Sequence, residues 1–510
     1  MRHSRGWRRD LVAVSLGALA TAALPPVHAV PVLLLAVPGL LALLAPTQSS
    51  RTALRIGFWF GFGHHMFGLY WITEAVLIEA ERFWWLVPIA VPAIAAVVAL
   101  FIAVAAAITV RFAPGLPRVL ALAGAWGATD LARQFVATGF PWNPWGSAWA
   151  IPGEAGVLML QPASLIGVHG LTVATVLIAG VASLGARGIL SGAAGLLLWG
   201  GLGFGLLGRT AGPAPGISVL IVQGNVPQGQ KWDQAFAAAA VRRYLALTRA
   251  GIDRAGGTGS VVLWPETAFY PFLLEREPAA RAEIYAASAG PALIGGMRVN
   301  PSGQPLNSMM AVDGPGPITR AYDKWHLVPF GEYSPFWMPL PVMLGMGNGF
   351  AAGAGPATLH IPGVPPVGVL ICYEAIFSGE VVDRADRPAW LANGTNDAWF
   401  GNSSGPRQHL AAARMRAVEE GLPLFRAANT GISAAFDAYG RMLGHLPLNV
   451  TDSLLVKLPG TLPPGWFARF GLAIPAMLAA FCLALAALTQ HRTRLRTIFG
   501  MFFKQNKPAR

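Results

Sequence analysis

The apolar positions of this chain fall into two regimes. Over residues 11–208, and again over 467–489, they form runs long enough to cross a bilayer, at ~20 residues each. Breaks in the pattern divide them into spans at 11–24, 30–46, 53–77, 85–110, 118–136, 163–184 and 187–208, with a last one at 467–489. The first two are short and flanked by proline. Between the two apolar regions the pattern changes to short apolar runs, amphipathic stretches and turn residues. It predicts strands at 217–223, 261–264, 292–295, 308–312, 318–322, 367–371, 390–392, 434–437 and 442–445. Helices are predicted at 234–250, 279–287 and 408–420. The linker Ala211-Gly212-Pro213-Ala214-Pro215-Gly216 opens this middle stretch, whose roughly 250 residues suffice for one large core. The expectation is a polytopic α-helical membrane domain of about eight transmembrane helices with one inserted layered domain, α/β or α+β. The boundaries follow: seven helices in 1–210, the inserted domain in 211–465, the last helix in 466–490 and a basic tail in 491–510. No internal repeat stands out.

Composition and charge sharpen this picture. Hydrophobic residues make up 54% of the 510 and charged residues only 12%, about half the share usual in soluble proteins. The net charge of +13 would suit a nucleic-acid partner, but the basic residues flank the apolar runs. Arg2, Arg5, Arg8 and Arg9 precede the first run, and Arg492, Arg494, Arg496, Lys504, Lys507 and Arg510 follow the last. No basic stripe with interleaved aromatics occurs in the middle domain, so no nucleic-acid partner is expected. Arg51 and Arg55, Arg111 and Arg118, and Arg187 make every second loop basic. The positive-inside rule then places the N-terminus in the cytoplasm, the inserted domain on the outer side and the basic tail back in the cytoplasm. Arg8-Arg9 before a short apolar run and Thr21-Ala22-Ala23 also resemble a signal peptide, which would leave the sidedness of the inserted domain unchanged.

Three features invite a functional reading and resist it. Gly203-Phe204-Gly205-Leu206-Leu207-Gly208 fits the dinucleotide fingerprint as a string, but it lies inside an apolar span, where small residues suit helix packing. The loop 132–162 is rich in aromatics, including Trp142, Trp145 and Trp149, and suits either an interfacial belt or the lining of a lipid passage. Cys372 and Cys482 fall in different domains, so neither a disulfide nor a metal cage is expected.

The chemistry gathers at three strand ends. Leu263-Trp264-Pro265-Glu266, Tyr322-Asp323-Lys324 and Val369-Leu370-Ile371-Cys372 each run from apolar residues into a reactive group. A carboxylate, an amine and a thiol placed so are expected to converge at one edge of a sheet. A thiol is a poor nucleophile until a base takes its proton, and an ammonium can stabilise an oxyanion. Each residue alone is more often a packing group or a surface ion-pair partner.

The strings "WPETAF", "YDKWHLVPFGEYSPF" and "GVLICYEAIF", in this order, resemble the nitrilase or carbon–nitrogen hydrolase superfamily with its Glu-Lys-Cys triad. Together with the spans, and with "GFPW" at 139–142, "VQGNVPQGQKW" at 222–232, "NGTNDAWFG" at 393–401 and "HLAAARMRAVEEGLPLFRAANTG" at 409–431, the whole chain resembles the bacterial apolipoprotein N-acyltransferase family. The resemblance implies an αββα sandwich for the inserted domain. It implies Cys372 as the nucleophile, Glu266 as general base and Lys324 as oxyanion stabiliser. Glu332 would be a second essential carboxylate, Tyr373 and Glu374 supporting residues, Trp232 an aromatic over the site and Trp142 one on the membrane side. Arg416 and Glu420 read as a structural ion pair. The implied reaction is ping-pong acyl transfer in the bacterial inner membrane, with the catalytic domain on the periplasmic side. The acyl donor would be a phospholipid, phosphatidylethanolamine foremost, and the acceptor the α-amine of a diacylated apolipoprotein. No cofactor is implied. The apolar segment 336–345 is expected to dip into the outer leaflet beside the site. A membrane-anchored amidase passing its acyl group to water shares the first half-reaction. A transporter is disfavoured by the few ionisable residues in the spans, chiefly His64, His65 and Asp130.

Overall fold

The computed structural model describes residues 6–78, 80–228, 234–254, 256, 259–336 and 349–505. Trp232 and, apart from Phe336, the segment 336–345 lie outside the described residues.

The middle domain contains β1 (Ser218–Gln223), β2 (Ser260–Leu263), β3 (Ala292–Val299), β4 (Pro305–Val312), β5 (Ala321–Asp323) and β6 (Thr358–Leu359). It continues with β7 (Val367–Ile371), β8 (Trp390–Thr395), β9 (Leu424–Ala428), β10 (Ser433–Phe436), β11 (Met442–Leu446) and β12 (Asp452–Lys457). They form two six-stranded sheets of order β12-β1-β2-β3-β4-β5 and β11-β10-β9-β8-β7-β6. In each sheet two parallel pairings, β1–β2–β3 and β7–β8–β9, are flanked by antiparallel strands. The two halves therefore repeat one topology that the sequence does not reveal.

Burial on both faces explains why these strands read as unbroken apolar runs rather than alternating ones. In β1, Val219 and Ile221 enter the core between the sheets, while Leu220 and Val222 pack under the helices Gln234–Arg254 and Pro278–Ser288. In β7, Val367, Val369 and Ile371 enter the same inter-sheet core, and Leu370 turns to the helix Gly405–Glu420. The result is a four-layer αββα sandwich. Each fully buried Val, Leu or Ile contributes about 1.5–3 kcal/mol. The strand at 424–428 escapes a sequence reading because its central residue is Arg426.

The helix Gly405–Glu420 has no solvent face. Ala413 and Ala417 pack on the second sheet, and Ala411, Met415 and Val418 pack against Trp149, Leu160, Val168 and Trp199 of the apolar region. Several of its polar groups are paired inside this seam. Glu419 accepts the Val168 N–H at 2.7 Å, Arg414 donates to the Ile151 carbonyl at 2.7 Å, and Gln408 accepts the Trp142 indole N–H at 2.8 Å. One helix thus docks the sandwich on the bundle.

The apolar region is a helical bundle, and a helix overlaps each of the expected segments. Among the described residues, four are long and apolar enough to cross a membrane: Ala80–Thr109, Ala163–Leu184, Ala186–Leu207 and Ala473–Arg492. The others are shorter. Leu33–Leu44 has 12 residues, and the expected span 53–77 is broken into Ser50–Gly68 and Ile72–Leu77. The last helix returns to pack on Leu116–Ala132 and Ala163–Val181. Leu190, Leu197, Leu198 and Phe204 form an exposed apolar face on Ala186–Leu207, as contact with lipid requires. Trp142, Trp145 and Trp149 are buried inside the protein, which rules out the interfacial belt, one of the two readings of this loop. Trp145 packs on Trp126 at 4.3 Å within the bundle.

Small residues let the first helices touch. A Cβ at Gly17 would lie 1.9 Å from the Phe60 carbonyl oxygen, and one at Gly63 would lie 2.1 Å from that of Val14. In the rejected dinucleotide-like string, Gly203 packs on the Leu158 carbonyl, whereas Gly205 faces open space. Gly63→Val should therefore destabilise the bundle by about 1–3 kcal/mol through overpacking, and Gly205→Val should leave it unchanged. Thermal melting of the detergent-solubilised protein checks the contrast.

Candidate active site

Cys372 directly follows β7 and opens a single 3-10 turn, Cys372–Ile376. Its φ of 48° lies in the left-handed region, which a non-glycine residue occupies only when its surroundings hold it there. Lys324 directly follows β5, and Glu266 lies just beyond β2. β2 and β5 belong to the first sheet and β7 to the second, so the three groups do not share one sheet edge. They meet where the two sheets face each other, because the inter-sheet core brings these strand ends together.

Lys324 is 1% exposed. Its Nζ donates to Glu332 Oε1 at 2.9 Å and to Glu266 Oε1 at 3.2 Å. Asn307, on β4, donates its amide N–H to the same two oxygens, each at 2.8 Å. The Val328 N–H donates to Glu332 Oε2 at 2.8 Å. Burial alone would lower the Lys324 pKa, but Glu266 and Glu332 outweigh it and hold the ammonium charged. Burial pushes the Cys372 thiol up, and the Glu266 charge adds to this, while Lys324 and a hydrogen bond with Thr395 oppose it. The resting thiol is therefore protonated, and attack by its sulfur needs a base at hand.

Glu374 is a tie between the strand ends rather than a free acid. One oxygen accepts the Tyr322 hydroxyl at 2.7 Å and the Trp325 N–H at 2.9 Å, and the other accepts the Ile371 N–H at 2.6 Å. It thereby fixes the segment after Lys324 to the strand before Cys372. Burial pushes Glu374 up to about 7 despite these donors. Tyr373 donates its hydroxyl to the Gly139 carbonyl at 2.8 Å and so ties the turn to the aromatic loop of the bundle. Trp142 packs against Trp71 at 4.5 Å and Phe400 at 5.7 Å. The expected pairing of Arg416 with Glu420 is not made. Arg416 meets Glu419 at 2.9 Å, and Glu420 meets Arg387 at 2.9 Å, because the helix presents Glu420 to the loop before β8.

Several residues of the site carry no sequence signal of their own. Tyr322 reads as a strand residue, and Asn307 falls just before the predicted strand 308–312, whereas β4 begins at Pro305. His409, Asp397, Thr395 and Arg426 sit in strings that match the family, but only folding brings them under Cys372. Asp397 pairs with Arg426 at 2.7 Å. Burial would raise the Asp397 pKa, but Arg426 and His409 bring it down to about 2.

Comparison with known proteins agrees with this architecture. The family model for the apolipoprotein N-acyltransferase N-terminal domain matches residues 16–181, and that for carbon-nitrogen hydrolase matches residues 221–460. An apolipoprotein N-acyltransferase of Bradyrhizobium diazoefficiens is 40% identical over 520 residues, covering 94% of this chain and 95% of that protein. One from Rhodopseudomonas palustris is 37% identical over 524 residues, covering 95% of each. Among solved structures, an amidase from Nesterenkonia sp. is 18% identical, covers 52% of this chain and 96% of its own, and has a TM-score of 0.36.

Two outcomes follow from the charges. Lys324→Met would leave Glu266 and Glu332 facing each other in a buried space, at a cost of about 3–5 kcal/mol near neutral pH. Thermal melting of the variant against the parent near neutral pH checks this loss. For Glu374, the folded protein keeps a proton that the unfolded chain releases between 4.5 and about 7. Stability should therefore fall as pH rises through that window. Glu374→Gln cannot ionise, so its melting temperatures at about pH 5 and about pH 8 should lie closer together than those of the parent.

Proposed function

The chain belongs to the apolipoprotein N-acyltransferase family and is an acyltransferase, and from this premise we propose how its site works. Cys372 takes a fatty acyl chain from a phospholipid, phosphatidylethanolamine foremost, and passes it to the α-amine of the S-diacylglyceryl-cysteine that begins an apolipoprotein. The reaction runs in two half-reactions through a cysteine thioester and completes lipoprotein maturation.

In the first half-reaction Glu266 takes the thiol proton while the sulfur attacks the ester carbonyl. The resulting oxyanion is stabilised by the Lys324 ammonium. The tetrahedral intermediate collapses to the thioester, and the lysophospholipid leaves as its oxygen regains the proton from Glu266. In the second, the lipopeptide amine attacks the thioester and gives a proton to Glu266. The amide forms, and the departing thiolate takes that proton back. Splitting one substitution into two lets two bulky lipids use a single site in turn. Glu332 keeps Lys324 charged and in place, and Tyr373, Glu374, Trp142 and Trp232 support the site.

The same reading places about eight helical segments in the bacterial inner membrane, with the sandwich of 211–465 on the periplasmic side and the tail of 491–510 in the cytoplasm. The alternation of basic loops supports it. Phe336, almost fully exposed at the start of the apolar segment 336–345, supports contact of that segment with the outer leaflet.

The observation that carries the proposal is the buried Glu266–Lys324–Glu332 cluster beside Cys372, in a domain docked on apolar helices. Incubation of the purified protein with phosphatidylethanolamine should add a fatty-acyl mass at Cys372, read by mass spectrometry. A diacylated lipopeptide with a free amine should discharge it. An adduct that persists in Cys372→Ala, or that is lost only to water, would remove the proposal.

A further inference from the structure

His409 is fully buried on the helix Gly405–Glu420, and the acyl-transfer steps above leave it unused. Its Nε2 lies 2.9 Å from the Cys372 carbonyl oxygen. A carbonyl oxygen only accepts, so Nε2 carries a proton and donates it there. The other ring nitrogen, Nδ1, lies 2.9 Å from Asp397 Oδ1 and 3.1 Å from Arg426 Nη2. Arg426 in turn donates to Asp397 Oδ2 at 2.7 Å and to Asn393 Oδ1 at 2.6 Å. Trp142 and Phe400 pack on the ring, with centroids 5.5 and 5.7 Å away. The imidazole is thus gripped at one edge by a buried ion pair and on its sides by aromatics, and its remaining N–H is aimed at the nucleophile's own backbone.

That backbone needs holding. Cys372 has its φ at 48°. A non-glycine residue in that region is strained and persists only where its neighbours fix it. The Cys372 carbonyl and the Tyr373 N–H belong to one planar peptide unit, so a donor on the carbonyl sets the orientation of the whole unit. A misplacement of about 1 Å at a reacting group is enough to cost on the order of a hundredfold in rate.

We propose that His409 is a positioning residue. Its Nε2–H anchors the Cys372 carbonyl and so holds the nucleophile in the left-handed conformation from which the thiol meets Glu266 and Lys324. The anchor joins the nucleophile to the helix that docks the sandwich on the bundle, since Gln408 beside it bonds Trp142. The inference rests on Cys372 being the acylated residue.

Two substitutions separate anchoring from mere packing. In His409→Gln the side-chain amide nitrogen reaches about as far as Nε2, whereas in His409→Asn it reaches only about as far as Nδ1. Both lose the ring, so a purely structural role would affect both alike. The full-length protein in phosphatidylethanolamine vesicles is followed by mass spectrometry through the single-turnover appearance of the acyl adduct. His409→Gln should acylate within about fivefold of the parent, and His409→Asn should be slower than the parent by at least about thirtyfold with KM unchanged. Equal rates in the two variants, or a faster His409→Asn, overturn the proposal. Should neither variant fold, 15N spectra of the histidine-labelled parent decide, and an unprotonated His409 Nε2 overturns it. Cys372→Ala runs alongside: an adduct in that variant refutes the nucleophile itself and is distinct from any result at position 409.

Discussion

A buried ammonium between two buried carboxylates governs the arrangement of this site. Removing three charges from water costs several kcal/mol per ion, and only close pairing with further hydrogen bonds offsets it. Lys324, Glu266 and Glu332 meet that condition because Asn307 donates to both carboxylates and the Val328 N–H takes a remaining oxygen. The condition can be satisfied in few ways. It requires the end of β2, the start of β4, and the segment following β5 to hold fixed separations. Glu374 extends the constraint to the second sheet by binding the Trp325 and Ile371 N–H groups at once. The carboxylates, the ammonium and the strand that leads into Cys372 are therefore held at fixed separations by the protein's own contacts.

A second constraint acts between the domains. The helix Gly405–Glu420 is covered on one side by the second sheet and on the other by the bundle. A helix buried all round ordinarily turns apolar, yet this one keeps Gln408, His409, Arg414, Arg416, Glu419 and Glu420. Each polar group placed in such a seam must find a partner or lose its hydration without return. The partners come from both domains, so the seam admits one docking geometry. Tyr373 and Trp142 tie the same region to the aromatic loop of the bundle. The sandwich is thereby fixed against the apolar helices.

Much of this was legible in the chain, and for physical reasons. A long apolar run has few soluble uses, so the helices announced themselves. Strands covered on both faces become unbroken apolar runs, which is why β1, β2 and β7 read clearly, and Glu266 and Cys372 lie just beyond β2 and β7. Other features were hidden. Arg426 interrupts β9, so a central strand reads as polar. The two halves of the sandwich repeat a topology without repeating a sequence, because strand order follows from burial and pairing rather than from particular side chains. Trp142, Trp145 and Trp149 suggested a membrane surface, since an aromatic loop looks the same whether lipid or protein covers it.

By itself the sequence showed which regions are apolar and helical, that a layered domain lies between them, and which thiol, amine and carboxylate follow its strands. Periodicity and local chemistry suffice for these. The tertiary structure alone decided that the reactive groups meet across two sheets rather than along one, that Asn307 and Glu374 lock them, and that Glu420 takes Arg387 while Arg416 takes Glu419. It also placed His409 against the Cys372 carbonyl. These are contacts between residues tens to hundreds of positions apart, and such contacts depend on how whole sheets and helices pack, which no local pattern records.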